Sequence, residues 1–395
     1  MGSGKCVKRR PDAGSYLNTE RGRGVRTPLS RIKTRDRLTA MMAVIILSLL
    51  VVLPGCSSKS ADQDGNGTER AIAIKQISAS DKDTVTIVIG AYSVVKDALG
   101  RILPQFAADW EAKTGKKVVF QESYEASGTQ ARAIAGGMEA DVALLAMEGD
   151  VDKLERAKLI NSDWKQQDAY QGMVTRSVAV IGTRKGNPLG IRDWTDLTRE
   201  GVNVLYPNPK TSGGAQWDIN AIYGAGLKMA AEQGKDGPPF AKQLLMRVHH
   251  NVLSMDKSGR ASMAAFEYGV GDAIVTYENE ILSRKREGVP YEMVLPKHTI
   301  LIENPVVVVR KYARKHQVEE AAEALVAYLR EPKAQRMFAE AGFRPVNEQV
   351  AKETIKAYPI PDGLFHIDDM GGWDEVREKL YSNRGVWYQV LAGIE

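Results

Sequence analysis

Two stretches of this chain join a serine to small residues at what reads as the start of a helix. They are Ser212-Gly213-Gly214 in YPNPKTSGGAQWDINAIYGAGL and Ser127-Gly128 in SYEASGTQARAIAGG. The first amides of a helix lack intrahelical acceptors, and the helix dipole adds a partial positive charge there. Glycines leave those amides uncovered and a serine hydroxyl adds a donor, so such a start can cradle an oxyanion. Ser-Gly-Gly also begins ordinary helices, so one such stretch decides little. Two of them, one in each half of a cleft, could close on a single anion from opposite sides. The cradle is not a nucleotide loop: Lys210 precedes the glycines, and Gly-x4-Gly-Lys-[Ser/Thr] is absent. Arg132 and Lys210, beside the two starts, are either direct anion ligands, steering charges or solvated charge.

Other chemistries find little support. The five histidines, His249, His250, His298, His316 and His366, show no metalloprotease spacing, and no Gly-x-Ser-x-Gly elbow surrounds a serine. Glu278 and Glu280 stand at i and i+2, which do not share a helix face, so they make a poor acid–base pair. Catalysis, a metal and a cofactor are therefore not expected. Trp373, Trp387 and Tyr388 read as packing rather than as a ligand platform.

The elements that must position the two cradles alternate between strand and helix. TVTIVIGAY reads as a strand, and Leu99, Ile102, Phe106 and Trp110 give the following helix an apolar face that stops at Gly115. KKVVFQES and ADVALLA continue as strands around the Ser127 helix, a βαβαβ rhythm that predicts a mostly parallel sheet covered by helices. In the second cradle, the strand Val202–Tyr206 is ended by Pro207 and Pro209, and a helix follows from Ser212 with Ala215, Ile219, Ile222 and Gly226 on its apolar face. GDAIVTYENEIL carries a strand into a helix, and TILIENPVVVVRKYA holds a long strand with a proline break. Two long strands, around 176–181 and 300–309, would flank a central α/β block. Two lobes with two crossings make a cleft. The expected division is 84–180 for the first part of lobe 1, 181–299 for lobe 2, and 300–395 for the return to lobe 1 with C-terminal helices.

The net charge is +5, yet residues 1–55 hold eleven Lys and Arg and few acids, so the chain beyond them is net acidic. That excludes a basic nucleic-acid surface as the default reading. The basic segment runs into an apolar stretch, Leu38 to Leu53, of signal-peptide rather than membrane-spanning length. The sequence Leu53-Pro54-Gly55-Cys56 resembles the lipobox of bacterial lipoproteins, departing from it at Pro54. The resemblance implies cleavage before Cys56 and lipidation of its thiol; an uncleaved signal anchor is the other reading. The long polar lead suggests translation starting near Val25 or Leu29. Cys6 and Cys56 are the only cysteines, so the body has neither disulfide nor thiol nucleophile. Residues 56–83, polar and rich in Ser, Asp and Gly, read as a tether. The protein is expected to be exported and held by lipid at the outer face of the cytoplasmic membrane, or on the periplasmic side where an outer membrane exists.

The two cradles, GVGDAIVTYENEIL and FHIDDMGGW together resemble, in order, the signatures of the sulfate/thiosulfate-binding proteins of bacterial ABC importers, from about Val85 to the C-terminus. The resemblance implies a two-lobed periplasmic-binding-protein fold of type II, each lobe a mixed, mostly parallel sheet flanked by helices. It implies sulfate or thiosulfate as ligand, an importer permease as partner, no nucleic acid, and a monomer. It places the anion on hydrogen-bond donors at Ser212, Gly213, Gly214 and Ser127. Ser93 stands where the resemblance implies Asp, Tyr277 where it implies Trp, and Gly259 near a further amide donor, with the spacing to Phe266 one residue short. An indole only donates, whereas a phenol donates and accepts. Sulfate preference over phosphate is thus expected to survive in reduced form. The alternatives are another tetrahedral oxyanion, phosphate or molybdate, and a sensory anion-binding lipoprotein without an importer.

Overall fold

The computed structural model describes residues 83–394. The readings on the signal segment 1–55, on lipidated Cys56 and on nearly all of the tether lie outside the described residues. Thr84–Tyr92 forms β1, apolar on both faces toward its end, as a covered parallel strand should be. Helix α1, Lys96–Thr114, buries Leu99, Ile102, Phe106 and Trp110 and ends at Gly115, whose φ of 73° suits a residue without Cβ. Then come β2 (Lys117–Glu125), α2 (Ser127–Ala135), β3 (Val142–Leu144) and α3 (Glu148–Arg156). Strand β1 is central, parallel to both β2 and β3.

A long strand, β4 (Met173–Thr183), leads into the second group: β5 (Val204–Leu205), α4 (Gly213–Glu232), α5 (Gly237–His250), β6 (Val252–Ser254), α6 (Gly259–Glu267), β7 (Ala273–Tyr277), α7 (Glu278–Arg286) and β8 (Glu292–Val294). Here β5 is central, parallel to β6 and β7. The chain returns along β9 (His298–Val308). The strand order is β2-β1-β3-β9-β4-β7-β5-β6.

Strands β4 and β9 each change partner midway, and that is what joins the two groups. Residues 176–178 of β4 pair antiparallel with 301–303 of β9, then 179–183 pair with β7. Likewise β9 leaves β4 and pairs its residues 306–308 with β3. The proline expected to break this strand, Pro305, instead lies inside it at the switch of partners. There a missing N–H costs least, and β4 shows a register shift opposite it. Two parallel groups joined by two antiparallel crossings are the two-lobed, mixed layout expected for the fold. Strand β5 is shorter than the expected Val202–Tyr206, because only Val204 and Leu205 find partners in β6 and β7.

After β9, α8 (Arg310–Lys315), α9 (Glu319–Tyr328) and α10 (Pro332–Glu340) follow, and Tyr328 of α9 packs edge-on against Phe106 of α1 at 5.4 Å. The rest comprises β10 (Arg344–Pro345), α11 (Glu348–Thr354), β11 (Gly363–Phe365), α12 (Gly372–Val376) and α13 (Val386–Leu391). This last segment covers α4 and α5. Trp373 stands edge-on to Trp217 at 4.8 Å, and Trp387 packs on Tyr206 and His249. Phe365 fills the gap at Gly224, where a Cβ would come within 2.4 Å of its ring. Helix α4 is consequently buried almost all round, which explains its poor amphipathic pattern.

Candidate functional site

Four helix starts meet at one cavity. The turn Ser93–Val95 leads into α1, Ala126 and Ser127 open α2, Ser212 caps α4 and Ser258 caps α6. Strand β7 supplies Tyr277 from its end. Of the residues singled out in the sequence, Ser93, Ser127, Ser212, Gly214, Gly259 and Tyr277 line this small, nearly closed space of ≈ 20 Å³. Gly213 lies one residue aside, facing α3. Among the described residues, no lysine or arginine lines it.

Each serine is engaged in its own way. The Ser212 hydroxyl oxygen accepts from the Ala215 amide at 3.3 Å, and that of Ser258 accepts from the Ala261 amide at 3.2 Å. A hydroxyl that accepts in this way keeps its proton for another partner. Ser127 differs: its Oγ accepts from the Ala146 amide at 2.9 Å and donates to Asp150 Oδ2 at 2.5 Å. Its proton is thus committed within the protein. The amides of Thr129 and Gln130 both bond to the Ala126 carbonyl. That leaves the amides of Ser127 and Gly128 at the head of α2 without intrahelical acceptors.

The glycines serve close approach as well as exposure of amides. A Cβ on Gly128 would come 2.9 Å from the Thr211 carbonyl oxygen, and one on Gly213 would come 2.9 Å from Asp150 Oδ2. A Cβ on Gly214 would face Ser212 Oγ at 3.3 Å and the Tyr277 ring at 3.6 Å. Gly259, first residue of α6, abuts Val94. Thus α2 meets the lead into α4, and α6 meets the turn before α1.

The cavity is framed by fixed polar groups. Asn304 accepts from Tyr92 and Thr175, both at 3.1 Å, and donates to the Ala146 carbonyl at 2.9 Å. Trp217 donates to the same carbonyl at 2.8 Å. Tyr277 is 3 % exposed, and among the described residues its hydroxyl, though close to the Asn304 side chain, has no hydrogen-bond partner. Burial holds that phenol's pKa well above its usual value, so at neutral pH it keeps its proton.

Sequence reasoning missed six polar lining residues, Tyr92, Asp218, Ser258, Ser262, Thr276 and Glu280. Ser258 carried a signal, a serine just before a helical run. The two acids carried none, because an acid in a helix reads as solvated. Glu278 and Glu280 do point to different partners: Glu278 is paired with Arg344 at 2.6 Å, while Glu280 faces the cavity with Arg284 at 3.2 Å. Burial raises the Glu280 pKa, opposed by Arg284 and Arg260. Arg132 and Lys210 are not cavity-lining; Arg132 donates to the Lys210 carbonyl at 3.2 Å, and the Lys210 ammonium lies over Tyr388 at 5.7 Å. His249 is bound to the Tyr206 hydroxyl at 2.6 Å, in a packed rather than a ligating position.

This arrangement belongs to a known group. Residues 91–344 match the family model described as "Bacterial extracellular solute-binding protein". A sulfate-binding protein of Synechococcus elongatus is 37% identical over 78% of this chain and 88% of its own length. A thiosulfate-binding protein of Escherichia coli K12 is 31% identical over 82% and 96%. In structure, the sulfate-binding protein SubI from Mycobacterium tuberculosis H37Rv superposes with a TM-score of 0.69 at 33% identity, covering 75% of this chain and 99% of that one. A periplasmic thiamin binding protein, 14% identical with a TM-score of 0.59 over 81% of this chain and all of its own, shares the fold alone. The chain therefore belongs to the bacterial extracellular solute-binding proteins, among the sulfate- and thiosulfate-binding proteins of ABC importers.

Proposed function

We propose that this protein captures sulfate, or thiosulfate, by closing two lobes on it and hands it to an importer permease. The observation that carries this reading is a cavity built from helix starts and hydroxyls, with no cationic side chain lining it. Such a site stabilises a fully ionised anion through donors alone. In this reading the anion is held by the amides at Ser127, Gly213, Gly214 and Gly259, by the hydroxyls of Ser212 and Tyr277, and by Ser93 from the turn before α1. Residues 84–180 and the chain from 300 onward form one lobe and 181–299 the other, with β4 and β9 as the crossings. The segment 363–391 is added to the face of the second lobe. Anion contacts from both sides favour the closed state over the open one. The protein has no catalytic role; it is a monomer held at the membrane through lipid on Cys56.

One observation favours a second ligand. The unpartnered Tyr277 hydroxyl can accept as well as donate, so hydrogen phosphate meets a weaker barrier than a donor-only wall would raise. Calorimetric titration in anion-free buffer with sulfate, thiosulfate, molybdate and phosphate tests the reading. Saturable sulfate binding, with phosphate about tenfold or more weaker, supports it. Binding of phosphate or molybdate with silence toward sulfate contradicts it.

A further inference from the structure

Asp218 is an acid in the wall of an anion cavity. It lies six residues beyond the Ser212 cap, on the first turns of α4, and is 1 % exposed. It lines the same space as Ser212, Gly214 and Tyr277. Its Oδ1 is fully buried and, among the described residues, has no hydrogen-bond partner. Among the described residues no cation is paired with it, and burial alone raises its pKa well above the usual carboxylate range. The groups around it are uncharged or acidic. Tyr206 at the end of β5, Tyr277 at the end of β7 and Tyr381 of the C-terminal segment feel its charge. Glu280 of α7 lines the same cavity, Asp150 of α3 stands behind Gly213, and His249 lies beyond Tyr206. Arg260 and Arg284 act on Glu280 rather than on Asp218.

An ionised carboxylate here would be desolvated, unpaired and set against an incoming dianion, three penalties with nothing to offset them. A neutral carboxyl avoids all three and carries one O–H donor. We infer that Asp218 acts as a neutral carboxylic acid that donates a hydrogen bond to the bound anion, making it an affinity-determining residue of the site. Sulfate has no proton to lose or gain near neutrality, so any titration of its binding belongs to the protein. Asp218 is protonated below its raised pKa, and a bound dianion raises that pKa further. Affinity is therefore full at lower pH and falls as pH rises through the Asp218 pKa, by up to about tenfold per pH unit.

This inference rests on the sulfate reading above. The test uses the full chain, sulfate as probe, and the variants Asp218→Asn and Asp218→Ala, with folding checked by thermal melting. Asn keeps a neutral donor and should bind within about threefold of wild type, whereas Ala should bind about tenfold or more weakly. In infrared difference spectra of wild type against Asp218→Asn at neutral pH, a protonated-carboxyl C=O band should be present and should move when sulfate is added. This readout survives even where the Ala variant fails to fold. Sulfate binding by Asp218→Ala within about twofold of wild type overturns the inference, as does an absent band, or a band unmoved by sulfate that binds. A wild type that gives no sulfate heat at any pH overturns the sulfate reading and this inference with it; sulfate heat with an unmoved band overturns this inference alone.

Discussion

At the cavity wall the decisive atom is the Tyr277 hydroxyl, buried and without a partner. Sulfate asks only for donors, whereas hydrogen phosphate brings a proton that needs an acceptor. A buried mismatch of that kind costs about 1–3 kcal/mol. The indole implied at this position by the sequence resemblance offers no acceptor, whereas the phenol adds one that can relieve part of the penalty. Tyr277→Trp should therefore widen the sulfate-over-phosphate ratio by about tenfold, as read by calorimetry with both anions; an unchanged ratio contradicts this role. The residues legible from sequence were Ser127 and Ser212, each a serine followed by glycine at a helix start. Asp218 was illegible for a physical reason. Helix α4 is buried on nearly every side by a C-terminal segment more than a hundred residues away, and nothing local marks its acid as interior.

Helix starts make the site only because they meet, and the contact between α2 and the lead into α4 is the tightest case. A Cβ on Gly128 would press on the Thr211 backbone at 2.9 Å, which cannot rotate aside as a side chain would. Gly128→Ala should lower sulfate affinity by about tenfold while the thermal midpoint changes by only a few degrees, since each element can still fold. Ser212→Ala removes a cap worth about 1 kcal/mol and, with it, a proposed anion donor, so both midpoint and affinity should drop. Away from the site, His316 joins the end of α8 to Asp141 at 2.8 Å and to Glu139 at 3.0 Å. Burial works against its charge, but the two carboxylates outweigh that and raise its pKa above the usual value. The stability this pair contributes is present below about pH 6.5 and is lost as pH rises through the raised folded pKa. Thermal melts across that range should show the decline in wild type and not in His316→Gln. Element type was readable wherever a run was long, as in β1, α1, β4 and β9. Short strands such as β5 depend on which neighbours come within reach, so their ends could not be read from local pattern.

At the scale of the whole molecule, the proposed lobes touch through a few polar ties. Trp217 reaches the Ala146 carbonyl, Arg260 of α6 pairs with Asp97 of α1 at 2.6 Å, and Arg377, in the C-terminal segment laid over α4, pairs with Asp152 of α3 at 2.5 Å. The Arg260–Asp97 pair is partly exposed and so contributes little to fold stability. On the proposed two-lobe reading, its position between α6 and α1 would make it a brake on opening. Arg260→Ala should speed sulfate release by a few-fold, about the worth of one exposed pair, in stopped-flow displacement, with the melting midpoint nearly unchanged. The two crossing strands were legible as long apolar runs, and with them the cleft. The packing of segment 363–391 over α4 was not, because only the assembled faces of Trp217 and Tyr206 show where Trp373 and Trp387 belong.

A crystal structure of the protein with sulfate bound would show whether helix starts and hydroxyls hold the oxyanion with no cation in contact. Density for the anion should lie between Ser212, Gly214, Gly259 and Tyr277, with every sulfate oxygen within hydrogen-bond distance of an amide or hydroxyl and no lysine or arginine nitrogen touching it. An anion seated elsewhere, or one gripped by Arg132, Lys210 or Arg260, would contradict it.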